Sequence, residues 1–131
     1  MTLTILIVDD EPATHTMLKM IFQLKRPQWT ILTAERGQAA LDIAADQSPD
    51  FTLLDISMPG MDGLETCQRL REMPGMQHAP IVIFTALDTM ERRERAQVVG
   101  ATDFWVKPFQ PAEFIPAIER LVEGAAPKPS N

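Results

Sequence analysis

The chain has 131 residues, 45% hydrophobic and 23% charged, with a formal net charge of -6. That suits one domain with a real core, and the acidic balance argues against a nonspecific grip on nucleic acid or an anionic membrane. The lone cysteine, Cys67, excludes an internal disulfide and cannot alone build a structural zinc site.

No apolar run approaches the roughly 20 residues that span a bilayer. The start MTLTILIVDDE has neither the basic opening nor the cleavage site of a signal peptide, so the cytoplasm is the expected location. Leu3 to Val8 is β-branched-rich and predicts a first strand. Pro12 suits a first helical turn, and Met17, Leu18, Ile21 and Leu24 give helical spacing to about Lys25. Thr30 to Ala34 predicts a second strand. A second helix follows from about Arg36 to Asp46, with Ala40, Leu41, Ala44 and Ala45 as its apolar side.

Phe51 to Ile56 predicts the third strand, and Leu64 to about Met73 the third helix, where Leu64, Cys67, Leu70 and Arg71 share the spacing. Ile81 to Phe84 is uniformly apolar, as in a strand covered on both faces. Asp88 to Val99 predicts a charged helix closed by Gly100. Its ERRER run reads as a solvated face with a Glu91–Arg95 pair. Thr102 to Val106 predicts the fifth strand. Glu113 to Val122 predicts the fifth helix, with Phe114, Ile118 and Leu121 facing inward and Pro116 near its start. Trp29 is expected to cover core, and Trp105 to be either an exposed anchor or partly packed. The domain is expected over residues 1–123, and 124–131 as a flexible tail or the start of a linker to a longer protein.

Five strand–helix pairs imply an open parallel sheet with helices on both faces. In such sheets ligands bind beyond the carboxyl ends of the strands. The first strand delivers Asp9, Asp10 and Glu11 to that edge, the third Asp55, the fourth Thr85 and the fifth Lys107. Aspartates gathered there repel one another unless something positive joins them. Mg²⁺, a hard cation suited to carboxylate oxygens, is one answer; Lys107, a mobile point charge, is the other. A cation, a lysine and a hydroxyl around one carboxylate make a site for phosphoryl oxygens. Any single aspartate at a strand end can equally be a turn former or helix cap, so the convergence carries the reading. His15 and His78 are expected at the surface or in loops, with no metal-ligand companions nearby in sequence. Cys67 is expected to be packed and unreactive.

The segments ILIVDDE, PDFTLLDISMPGMDG, IVIFTA and ATDFWVKPF, in this order, resemble the receiver domain of two-component response regulators. The resemblance runs from the first strand to about Val122. It implies a flavodoxin-like, doubly wound (βα)5 fold with a five-stranded parallel sheet in the order 2-1-3-4-5. It also implies that Asp55 takes a phosphoryl group from a sensor histidine kinase or histidine phosphotransfer protein. Asp9 and Asp10 would hold Mg²⁺ (or Mn²⁺), Asp10 directly and Asp9 largely through water. Asp55 would add a carboxylate oxygen, and Ser57 its backbone carbonyl. Thr85 would bond the phosphoryl group beside a small Ala86, and Lys107 would pair with a phosphoryl oxygen.

Family members usually hold the bond corresponding to Lys107–Pro108 cis. Phe104 stands where the family often has a switching tyrosine, so a switch here works by packing without a hydroxyl. Ser57 and Leu87 occupy positions that tune phosphoryl lifetime. Activity would be limited to the domain's own Mg-dependent phosphotransfer and autodephosphorylation. Phosphorylation would change the face made by the fourth helix, fifth strand and fifth helix, which meets an output domain, an effector protein or a weak or phosphorylation-dependent homodimer. Direct nucleic-acid or membrane binding is not expected. A docking module independent of phosphorylation is disfavoured by the intact Asp9, Asp10, Asp55, Thr85 and Lys107 set. A haloacid dehalogenase-type phosphatase would need a second acid where Ser57 stands, and a cap domain.

Overall fold

In the computed structural model, which describes residues 2–125, strands and helices alternate from end to end. They are β1 (Thr4–Val8), α1 (Pro12–Lys25), β2 (Thr30–Ala34), α2 (Gly37–Gln47), β3 (Phe51–Leu54), α3 (Gly63–Arg71), β4 (Ile81–Thr85), α4 (Met90–Val98), β5 (Asp103–Val106) and α5 (Pro111–Gly124). All strand pairs are parallel, in the order β2-β1-β3-β4-β5. This is the expected (βα)5 architecture. The order reverses at β1, so the crevice between the ends of β1 and β3 is the topological switch point. No helix among the described residues is long and apolar enough to cross a membrane.

Alternation along the strands sorts the core into two layers. Leu6, Val8, Leu54, Ile81 and Ile83 face one way, against Ala40 and Ala44 of α2, Leu64, Cys67 and Leu70 of α3, and Ala96 of α4. Ile5, Ile7, Phe51, Leu53, Val82, Phe84 and Trp105 face the other way, against Leu18 and Phe22 of α1 and Phe114 and Ile118 of α5. Fully burying such a side chain stabilises by about 1.5–3 kcal/mol. Small alanines let α2 approach the sheet closely. Aromatic rings fill the opposite layer, where Phe84 and Phe114 meet edge to face at 5.3 Å.

The inward faces of two helices differ from the expectation. In α1 the buried residues are Thr14, His15, Leu18 and Phe22, whereas Met17 and Leu24 are 45% and 79% exposed. Apolar residues lie on nearly every side of this helix, so spacing alone could not choose among them. His15 is therefore buried, not at the surface, and its Nε2 has no partner among the described residues. In α2, Ala45 faces solvent and Ile43 packs against the core. Trp105 is buried, stacked on Phe109 at 4.9 Å and donating from Nε1 to Asp103 Oδ2 at 3.0 Å. Trp29 covers core as expected.

Element ends follow local chemistry. α4 begins later than expected because Thr89 is its N-cap, its hydroxyl accepting from Arg92 N–H. It ends in a Schellman arrangement: Gly100, at φ +94, donates to Gln97 O, and Ala101 donates to Ala96 O. α5 starts earlier, with Pro111 in its first turn, and it carries Pro116 within it. Of the expected tail, residues 126–131 lie outside the described residues.

Arg71 ties down the end of the sheet opposite the strand carboxyl termini. Its Nε donates to Gly100 O at 2.9 Å, and Nη1 to the carbonyls of Met76 and Ala79. Its Nη2 donates to Thr102 Oγ1, which also accepts from Ile81 N–H. One side chain thus joins the α3–β4 loop to the α4–β5 turn. Helical spacing offered no hint of this.

Candidate functional site

The parallel register sets Val8 beside Leu54, and Thr85 beside Val106. The ladder then runs one residue past the strand ends. Asp9 N–H donates to Ala34 O, Asp55 N–H to Val8 O and Lys107 N–H to Thr85 O, at 2.9–3.0 Å. Each of these candidate side chains therefore leaves a hydrogen-bonded backbone rather than a free loop. Asp9, Asp55 and Thr85 are 1%, 5% and 1% exposed.

Lys107 Nζ lies 2.7 Å from Asp9 Oδ2, 3.1 Å from Asp55 Oδ2 and 4.0 Å from Glu11 Oε1. Burial by itself would lower the pKa of this ammonium, but the hydrogen bonds it donates to Asp9 and Asp55, with their negative charges, outweigh it. The net shift is upward. Lys107 is thus held as a cation between two carboxylates. The Lys107–Pro108 bond is cis, as the resemblance implied.

Both aspartates divide their oxygens between two jobs. Asp9 Oδ1 accepts from Glu11 N–H at 2.9 Å, and Asp55 Oδ1 accepts from Ser57 N–H at 3.3 Å. The first of these local turns draws Glu11 toward the crevice. Asp9, Glu11 and Asp55 each offer an oxygen, all within 4.8 Å of one another. These hard donors can coordinate a divalent cation. Asp10 is exposed and outside this cluster. Glu11 is the acid inside it that the sequence reading left without a role, because its placement depends on the turn capped by Asp9.

The SMPGMDG segment, leading from β3 into α3, is shaped by its own local contacts. Asp62 caps α3 by accepting from Glu65 N–H, and Gly63 donates to Ile56 O. A Cβ on Gly63 would lie 2.0 Å from the Asp55 carbonyl oxygen. Only glycine lets α3 begin directly against the backbone that carries Asp55.

Thr85 Oγ1 accepts from Leu87 N–H at 3.2 Å, and its hydroxyl hydrogen has no protein acceptor among the described residues. Ala86 and Ser57 are exposed at the rim. Phe104 is half-buried, with the Arg93 guanidinium 4.7 Å from its ring centroid. Among the described residues the expected Glu91–Arg95 pair is not formed; Arg93 pairs with Asp88 instead. His78 is exposed. Cys67 is buried, and burial pushes its thiol up to about 11, as befits an unreactive sulfur.

The family model described as the response regulator receiver domain matches residues 5–119, and the chain belongs to that family. Such domains receive phosphoryl groups from histidine kinases or phosphotransfer proteins in two-component signal transduction. The chain is 38% identical to the alkaline phosphatase synthesis transcriptional regulatory protein PhoP of Bacillus subtilis, over 94% of this chain and 51% of that protein. It spans about half or less of the length of the first curated relatives it matches. The chemotaxis protein CheY4 of Vibrio cholerae superposes with a TM-score of 0.86 at 28% identity, covering 92% of this chain and 99% of that one. The receiver domain of the Pseudomonas aeruginosa sensor histidine kinase PA1611 gives 0.84 at 25% identity, covering 95% and 100%; that structure has a magnesium ion coordinated in its active-site cleft.

Proposed function

We propose that Asp55 is the phosphoacceptor and that Asp9, Asp10, Asp55 and the Ser57 carbonyl form the Mg²⁺ site, with Glu11 beside them. The observation that carries this reading is Lys107 Nζ bridging Asp9 and Asp55, residues from three separate strand ends. When bound, the ion supplies positive charge to the phosphoryl oxygens and to the attacking carboxylate; the magnesium in the PA1611 cleft favours Mg²⁺ over Mn²⁺.

Asp55 attacks phosphorus through a carboxylate oxygen, forming an O–P bond as the P–N bond to the donor imidazole breaks. The leaving nitrogen takes its proton from solvent. Asp55 gives up its negative charge in becoming an acyl phosphate, so Lys107 exchanges a carboxylate partner for a phosphoryl oxygen without leaving the site. Thr85 donates its hydroxyl hydrogen to another phosphoryl oxygen and releases Leu87 N–H. Water attacking the same phosphorus later restores Asp55. The chemistry is the domain's own turnover.

The longer regulatory relatives support an output domain or separate effector; in a cytoplasmic protein it would be addressed through α4, β5 and α5. A weak or phosphorylation-dependent homodimer would use the same face. Intact-mass measurement after incubation with Mg²⁺ and acetyl phosphate tests the central claim. One phosphoryl group should add to the wild type, and none without Mg²⁺ or in Asp55→Asn. An undiminished adduct in Asp55→Asn would sink the assignment, as would a wild type that forms neither the adduct nor a beryllofluoride complex.

A further inference from the structure

Phe104 lacks the hydroxyl with which a tyrosine could be tethered, yet its ring is not left loose. It lies half-buried on β5, lining a recess of about 200 Å³ with Arg93, Ala96, Gln97, Ala101, Thr102 and Asp103. The Arg93 guanidinium sits over the ring, 4.7 Å from its centroid. A planar, weakly hydrated guanidinium suits an aromatic face better than an ammonium does. An arginine on an exposed helix would ordinarily sample many rotamers, but Asp88 Oδ1 accepts from Arg93 Nε at 2.6 Å. This bond raises the pKa of Arg93 and lowers that of Asp88.

The position of Asp88 gives the arrangement its meaning. It lies three residues beyond Thr85, in a loop pinned by Leu87 N–H to Thr85 Oγ1 and by Asp88 N–H to Ala86 O. Phe104 lies three residues before Lys107 on the neighbouring strand, paired with Ile83. A continuous set of contacts therefore runs from the Thr85 hydroxyl through Asp88 and Arg93 to the Phe104 ring.

We infer that Arg93 is a positioning residue of the switch: clamped by Asp88 and stacked on Phe104, it holds that ring in its resting place until the Thr85 loop moves. The inference rests on the proposed phosphorylation of Asp55 for its trigger. Its resting half concerns only the unphosphorylated protein. Movement of Thr85 toward a phosphoryl oxygen drags Asp88, loosens Arg93 and frees the ring. The latch thus replaces the missing tyrosine hydroxyl with a cation on the ring face.

The test follows the aromatic ¹³C resonances of Phe104 in the whole chain, free and with Mg²⁺ plus beryllofluoride. Arg93→Ala and Asp88→Asn should each move the free-state resonances toward their beryllofluoride positions. Arg93→Ala should also tighten beryllofluoride binding about two- to fivefold, since a clamp that favours the resting state taxes binding by the population it withholds. Arg93→Lys should recover only part of the hold. Both sites are exposed, and unchanged amide shifts in β1 and β3 establish that the variants fold. Free-state Phe104 resonances that stay put in both variants would overturn the latch, and so would weaker beryllofluoride binding. A wild type that binds no beryllofluoride would instead overturn the phosphoacceptor reading, while the free-state comparison still judges the latch.

Discussion

Two cations hold the two ends of this sheet, and they do it in opposite ways. At the carboxyl ends of the strands Lys107 bridges Asp9 and Asp55. At the other end Arg71 reaches carbonyls of Met76, Ala79 and Gly100 and the hydroxyl of Thr102. A lysine is a point charge on a flexible stem and can exchange one anion for another. An arginine spread over four oxygens on two loops has no comparable freedom. The partners differ accordingly. Neutral carbonyls make a lasting staple, whereas two buried carboxylates repel each other and can share a further cation. The proposed chemistry sits at the end whose bonds can be exchanged.

The largest expected effects test this contrast directly. Lys107→Ala leaves Asp9 and Asp55 buried without their cation and should cost about 3 kcal/mol in urea unfolding without divalent ions. Saturating Mg²⁺ should return part of that loss. Arg71→Ala strands three carbonyls and should cost about 2–4 kcal/mol, with no Mg²⁺ rescue beyond the increment the wild type shows. Equal rescue of the two variants would break the comparison.

Alkaline pH separates the ends more finely. Cys67, one turn before Arg71 on α3, has its thiol raised to about 11 by burial. The folded state keeps this proton where the unfolded state loses it. The associated stability is whole below about 8.5 and declines as pH rises toward and through 11. Between pH 9 and 10 the wild type should lose about 1 kcal/mol that Cys67→Ser does not lose. Lys107, also raised, stays charged across that interval, so its end of the sheet should not respond.

The smallest effect should be a gain. Thr52 on β3 is fully buried, and its hydroxyl has no partner among the described residues. Thr52→Val removes an unsatisfied polar atom at nearly constant shape and should stabilise by about 1 kcal/mol, read as a higher urea midpoint at unchanged slope. A loss would mean that the hydroxyl contributes something the wild-type contacts do not display.

Much of the fold could be read from the chain because its pattern is local. Short runs of strand length, apolar or rich in β-branched residues and set between Gly, Pro and charged segments, place all five strands to within two residues. Legibility failed where a helix carried more apolar residues than one face can use, as with Met17 and Leu24 in α1, and where a polar residue was drawn inward, as with His15. The candidate site was legible through the same locality: Thr85 ends β4, and Asp9, Asp55 and Lys107 directly follow β1, β3 and β5. Glu11 and Arg93 were not, since an Asx-type turn and a ring on another strand define their roles.

By itself the sequence determined which residues reach the carboxyl edge of the sheet, because a parallel (βα)5 order sends every strand's carboxyl end the same way. Tertiary structure alone decided what those residues do for one another. It brought Lys107 across 98 positions of chain to Asp9, started α3 against the Asp55 carbonyl at Gly63, and spent Arg71 on two loops. Distances of a few ångströms between segments remote in sequence set charge, hydrogen bonding and steric room, and these appear only when the strands lie side by side.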